Sequence, residues 1–499
     1  MRSALKTLCI VFISLVILTG CNKESSEKKI LSFKFAALNV QATITESPRN
    51  IAAIVPFGTD VTSLVPIITI SEGATINPAP GIATDFSKTV VYTVTAEDGS
   101  QAEYPVHVTV DDNSGDGEDG TPTSVTGTIN TNTVWRDLGL KVDYLVEGAI
   151  IVTDAALLTV EPGVTIAFSD ASSFIDVGQN AALKMVGTSE KPIILKGLDS
   201  YPNNGLWDRV IINSDREDNQ FEHVRFIGGG YGNTTSERNH GVVRVQGTLS
   251  MKHCLIDGSQ NSGLSIGYNG FLSAFEDNLI THCNMYPLLT ENMNTMGPNL
   301  GNDNRFIDNT LNKVCIDFFQ FYPNYNFTLR ALPIPYLLAW GLQLRGDKTV
   351  TIEAGTVFEV MSGKSFQIGD NNNFIAQGTA SKPIVFRASD TGSPWNGLFF
   401  ESTRGDNLME YCQIKDCGAS SDWNCCLFIR RDAKLKLNNN SFGPSQRYGV
   451  GIEHIGNWNN VQHQGNTFVG CSGGNVWIDD EGEYNGHAYH HGDVLDQLP

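Results

Sequence analysis

The sequence predicts an all-β chain of 499 residues in which an immunoglobulin-like β-sandwich is followed by a parallel β-helix. Three observations carry this reading. Short runs rich in Val, Ile, Phe and Thr are separated by Gly, Asn and Asp, and helical periodicity is nearly absent. Residues 90–110 alternate in period two around the turn Glu97-Asp98-Gly99-Ser100, a hairpin pattern. From about residue 127 the chain repeats itself at two scales.

Residues 1–20 read as a processing segment. Arg2 and Lys6 precede an apolar run, Leu8 to Leu18, that is broken only by Ser14 and is too short to span a bilayer. It ends in Leu18-Thr19-Gly20-Cys21, which resembles the lipobox of bacterial lipoproteins. The resemblance implies cleavage before Cys21, a diacylglycerol on its thiol and an acyl group on the new amine. Each buried CH₂ is worth only ~0.8 kcal/mol, so stable anchoring needs more than one chain. Residues 21–28 are a polar tether, and Lys23-Glu24 resembles the charged export signals of Bacteroidetes surface lipoproteins. The implied address is the bacterial outer membrane, surface-exposed, with the membrane as partner through the N-terminal lipid. The formal charge of −20 becomes −22 once Arg2 and Lys6 are removed, and such a surface repels nucleic acid.

Residues 29–110 form one unit of short strands, expected as a sandwich. The stretch Tyr92-Thr93-Val94-Thr95-Ala96-Glu97-Asp98-Gly99 resembles the small β-sandwich modules near the N-terminus of many Bacteroidetes surface lipoproteins, which implies a spacer. Residues 111–126, opening Asp111-Asp112-Asn113-Ser114-Gly115-Asp116, are expected as a flexible acidic linker. Calcium is the alternative there, but EF-hand spacing is lacking. No cofactor is assigned.

Residues 127–485 carry the repeats. Leu158-Thr159-Val160-Glu161-Pro162-Gly163 matches Val350-Thr351-Ile352-Glu353-Ala354-Gly355, and Asn204-Gly205-Leu206 matches Asn396-Gly397-Leu398. The spacing of 191–192 residues implies two duplicated units, about 144–335 and 336–485. Within them, apolar anchors recur at Ile227, Ile256, Ile280, Ile307, Ile414, Phe442 and Phe468, one per coil of a stacked solenoid. The pattern resembles the right-handed β-helix proteins of the pectate-lyase-like class, a likeness specific for fold and weak for function.

Parity places Cys254 and Cys412 two residues before an anchor, hence inward, as small buried hydrophobes. Cys417, Cys425 and Cys426 can hold one bridge, because adjacent strand residues face opposite ways. No four-ligand zinc pattern is present. His487, His490 and His491 lie in residues 486–499, expected as a solvated tail rather than a three-His metal site.

The leading functional expectation is a surface β-helix for glycan binding or adhesion, its partner a polysaccharide or a host or cell-surface ligand. Candidate aromatic platforms are Trp458, Trp423 and Tyr268, with Trp458 expected to be exposed within Gly456-Asn457-Trp458-Asn459-Asn460. Trp207 and Trp395, beside matched glycines, are expected to pack. The alternative, implied by the fold resemblance, is a polysaccharide lyase with carboxylate-held calcium or a hydrolase with paired carboxylates. Asp257, Asp277, Asp308 and Asp317 are spread along the first unit, and Arg404, Asp406, Asp416, Arg430 and Arg431 along the second, without a compact catalytic signature. No catalytic residue is assigned, and the enzyme question stays open, leaning against. A structural spacer or protein-interaction scaffold is the third reading.

Overall fold

The computed structural model describes residues 25–499 apart from 48, 56–58, 111–118, 199–206, 232–240, 296–299, 301–302, 370 and 420–423. The expectations for the signal segment, Cys21, most of the linker and Trp423 lie outside the described residues. The chain forms two compact units, divided between residues 114 and 115. Among the described residues helix is limited to short 3-10 turns, and none is long and apolar enough to cross a membrane.

The first unit packs a three-stranded sheet, which includes Ile30–Phe35 and Ile67–Ile70, with a five-stranded sheet. In the latter, Val90–Thr95 pairs antiparallel with Gln101–Val110, opposing Tyr92 to Tyr104 as the hairpin pattern requires. Alternation puts Phe33, Phe35, Phe86, Tyr92, Val94 and Val106 into one core, where Phe33 and Phe35 meet edge-on at 5.6 Å.

The second unit is a parallel solenoid. Its first coil starts at Thr123, which pairs with Tyr144, so the strand Thr123–Ile129 takes over the end of the expected linker. The first duplicated unit stacks three faces. Face one holds Thr165–Phe168, Ile193–Gly197, Val224–Ile227, Leu255–Asp257, Leu279–Thr281 and Arg305–Ile307. Face two holds Phe174–Val177, Val210–Ile212, Gly241–Val245, Ser262–Ile266, Leu288–Thr290 and Val314–Ile316. Face three runs from Thr133–Trp135 to Phe271–Glu276. One continuous core fills the interior.

Two anchors need correction by one residue. Phe226, not Ile227, stacks on Ile256 and Ile280, and Phe306, not Ile307, continues that column. With period two, Ile227 and Ile307 therefore point away from the core column.

The second duplicated unit is turned by one face about the solenoid axis. By sequence Val357–Val360 corresponds to Thr165–Phe168 of face one. In space it stacks on Tyr336–Leu338 and Val314–Ile316, continuing face two. The junction segment, about residues 317–335, absorbs the change.

Asparagine rungs line the coil corners. Asn278 Oδ1 accepts from the Cys254 amide at 2.9 Å, and Asn440 Oδ1 accepts from the Cys412 amide at 2.9 Å. Cys254 and Cys412 are buried in the core and occupy the same corner of their coils, as parity requires. In the strand-by-strand correspondence, however, the Leu255–Asp257 coil answers to that of Ser441–Phe442, so Cys254 aligns with Asn440 and the two cysteines are one coil out of step.

The expected tail is corrected too. Val494–Leu495 pairs antiparallel with the strand Gly474–Asp480, and Leu495 and Leu498 pack on the core. These apolar contacts outweigh the polar composition of the segment.

Candidate functional site

The residues that follow face-two strands gather at one corner. Stacked over six coils they line a groove of about 990 Å³. The rows are Gln179 and Asn180, Asn213 and Asp215, Gln246, Tyr268 to Phe271, Glu291 and Asn292, and the junction aromatics Phe318, Phe321, Tyr322 and Tyr325. Five coil steps of ~4.8 Å give a length of roughly 24 Å.

The groove presents flat rings beside hydrogen-bonding amides. Tyr268 is 75% exposed and Tyr322 57%, both unusual for large aromatic side chains. Their backbones are held. The Tyr268 amide donates to Glu291 Oε2 at 3.1 Å, and Asn292 Nδ2 donates to the Tyr268 carbonyl at 2.8 Å. Asn294 Nδ2 donates to the Tyr322 carbonyl at 3.3 Å, and the Asn324 amide donates to Asn294 Oδ1 at 3.0 Å. The turn at Gly270 passes so close to the coil below that a Cβ would sit 2.3 Å from the Val245 carbonyl oxygen, which excludes any side chain. No lysine or arginine is among the lining residues.

The same corner of the second unit is different. Arg430 replaces Gln246 in the strand correspondence and pairs with Glu453 at 3.0 Å, while Arg431 and His454 both meet Asp480 at 3.2 Å. Duplication left one corner amide- and ring-lined and the other crossed by ion pairs.

Of the sequence-derived platforms, Tyr268 lies in the groove. Trp458 is corrected. It is 2% exposed, it lies in the 3-10 turn Ile455–Asn460, and its Nε1 donates to the Pro499 carbonyl at 3.0 Å. The 3-10 turn rotates the ring onto the core although its sequence neighbours are polar. Trp207 stacks on Phe168 at 4.3 Å, and Trp207 and Trp395 each donate their indole N–H to a carbonyl twenty residues on, Ile227 and Lys415. Both are packing residues.

The dispersed acids stay apart. Asp257 meets His282 Nδ1 at 2.8 Å, Asp277 meets His253 Nδ1 at 2.9 Å and Asp317 accepts from Trp340 Nε1 at 2.7 Å. Burial raises the Asp257 carboxyl above its ordinary value, an effect its His282 partner opposes. Asp308 and Asp416 take positive φ, as Asp does in turns. Asp257 instead ends a strand and is buried. The groove carboxylates Asp215 and Glu291 sit three coils apart, roughly 14 Å along the axis. Glycosidase pairs stand roughly 5–9.5 Å apart.

Cys417 is bridged to Cys426, and Cys425 faces the other way against Phe399, Phe428 and Trp477. Among the described residues, one group of metal-ligating side chains converges, Glu222, His223 and His253, at a different corner from the groove. The tail histidines do not join it.

Comparison with known proteins agrees with this architecture. Residues 30–108 match the family model described as SGBP, N-terminal, a domain of glycan-binding proteins, and residues 127–246 match the pectate-lyase like beta helix domain. No curated protein matches. A crystal structure from Bacteroides thetaiotaomicron, provisionally assigned as a glycoside hydrolase, is similar at 34% identity over 20% of this chain and 32% of its own, with a TM-score of 0.17. This chain therefore spans about a third of that structure's length. A provisionally secreted protein from Bacteroides fragilis is similar at 16% identity over 17% of this chain and 96% of its own, with a TM-score of 0.15. The two domain matches mark a carbohydrate-related surface protein.

Proposed function

We propose that this chain is a lipid-anchored outer-membrane protein whose β-helix binds a neutral polysaccharide along the groove of its first duplicated unit. One observation carries the reading: exposed Tyr268 and Tyr322 stand among amide side chains in a groove whose described lining holds the carboxylates Asp215 and Glu291 and no lysine or arginine. Tyrosine faces are apolar and rigid enough to stack on the C–H surface of a sugar ring, and amides pair with hydroxyls from either direction. Asp215 and Glu291 repel an anionic chain, so a uronic acid polymer is disfavoured. The separation of those acids favours binding without hydrolysis. The anchor reading rests on Leu18-Thr19-Gly20-Cys21.

The test is calorimetric titration of residues 22–499 with neutral and uronate polysaccharides, together with assays for reducing ends and unsaturated products. Binding of a neutral glycan without turnover is expected. Selective binding of a uronate polymer, or product release, contradicts the reading. Separately, Cys21→Ala in the full chain is expected to move the protein from the membrane to the soluble fraction. Retention of the variant on the membrane overturns the anchor.

A further inference from the structure

The turns from face three to face one carry a stack of residues with left-handed backbone. His223, His253 and Asp277 take φ of +49°, +52° and +49° on successive coils. Their amides repeat one pattern, His223 to the Lys252 carbonyl and His253 to the Glu276 carbonyl. The equivalent turns of the second unit are made by Tyr411, Asn439 and Gly465, at +47°, +55° and +64°. The turn therefore demands a conformation, not an imidazole. Two histidines and an aspartate on adjacent coils of one unit are unexplained by the backbone alone.

We propose that Glu222, His223 and His253 form a binding site for a divalent transition-metal ion of the zinc class. One ligand atom from each lies within 4.8 Å of the other two. Closing on an ion at ~2.0–2.1 Å draws each pair inward by no more than about 1.5 Å, within reach of side chains at a solvent-facing corner. The histidine rings already stack at 4.9 Å with 12° between their planes. Asp277 meets His253 Nδ1 at 2.9 Å, which fixes that ring with its Nε2 lone pair available. A carboxylate behind a ligating histidine orients the ring and raises its basicity. Lys252, the neighbour of Glu222 across the coil step, is held by Glu276 at 3.0 Å. Two imidazoles and a carboxylate suit zinc better than calcium, and the set leaves a fourth position for water. Such an ion would tie two coils together at a corner away from the groove.

The test is titration of the chelator-treated residues 22–499 with Zn²⁺ by calorimetry, with melting temperature as a second readout. The double variant His223→Tyr and His253→Asn is the control, because the same turns carry those residues in the second unit and the backbone is kept. One ion per chain and a raised melting temperature are expected, with affinity falling at least 100-fold in the double variant. Asp277→Asn is expected to weaken binding by about 10–100-fold at unchanged stoichiometry. Absence of binding overturns the proposal. So does binding that persists in the double variant, which would place the ion elsewhere, such as on His487, His490 and His491.

Discussion

The carboxamide of Asn278 closes three hydrogen bonds away from solvent. It accepts from the Cys254 amide and donates to the Met251 carbonyl and to Asn304 Oδ1. Asn278→Leu keeps the branched shape and strands these groups, each unsatisfied buried group costing about 1–3 kcal/mol. Denaturant unfolding is expected to show a loss of at least about 2 kcal/mol, and an unchanged midpoint would refute the rung. Cysteine chemistry is set at the same scale. Burial pushes the thiols of Cys254, Cys283 and Cys315 up to about 12, whereas Cys471 is only partly buried and its rise is smaller. At pH 8.5 the thiolate fraction of the first three is negligible. Iodoacetamide is expected to label Cys471 first in native protein and all of them after denaturation. Native labelling of Cys254 at the rate of Cys471 would contradict this. The inward cysteines were legible from parity. Trp458 was not, because its polar neighbours Asn457, Asn459 and Asn460 say nothing of the 3-10 turn and the distant Pro499 carbonyl that enclose it.

Coils are stable only in a stack, so the cost of damaging one depends on its neighbours. Phe386 stacks on Phe358 at 5.0 Å and packs near Phe366 at 5.7 Å, in the middle of the second unit. Phe386→Ala is expected to cost about 3–5 kcal/mol in equilibrium unfolding. A loss below about 1 kcal/mol would mean that the column does not carry the stack. Strand existence was legible in the apolar runs. Register was legible except at Ile227 and Ile307, where an adjacent phenylalanine offered an equally apolar choice and only the pairing with Ile256 and Ile280 decides. The groove was largely illegible at this scale. Its residues are one to a few positions on each of six coils of unequal length, so no fixed spacing marks them, and only Tyr268 was singled out.

Across the whole second unit, duplication explains why one corner is suited to a ligand. The period of 191–192 residues was legible, but a period carries no phase, so the turn of one face between the units was not. That turn puts the ion-paired corner of the second unit on a different side from the groove and ends the groove at the junction aromatics. The groove thus has a defined length, roughly 24 Å, suited to a short run of sugars rather than an endless track. In the proposed function, Tyr268 and Tyr322 carry the glycan affinity of the groove. The most direct test is the dissociation constant of the double variant Tyr268→Ala and Tyr322→Ala for the neutral glycan that the wild type binds, with melting temperature measured alongside. At ~1.4 kcal/mol for each tenfold step, losing two exposed rings is expected to weaken binding at least tenfold with the melting temperature unchanged. An unchanged dissociation constant in a folded double variant would contradict the account.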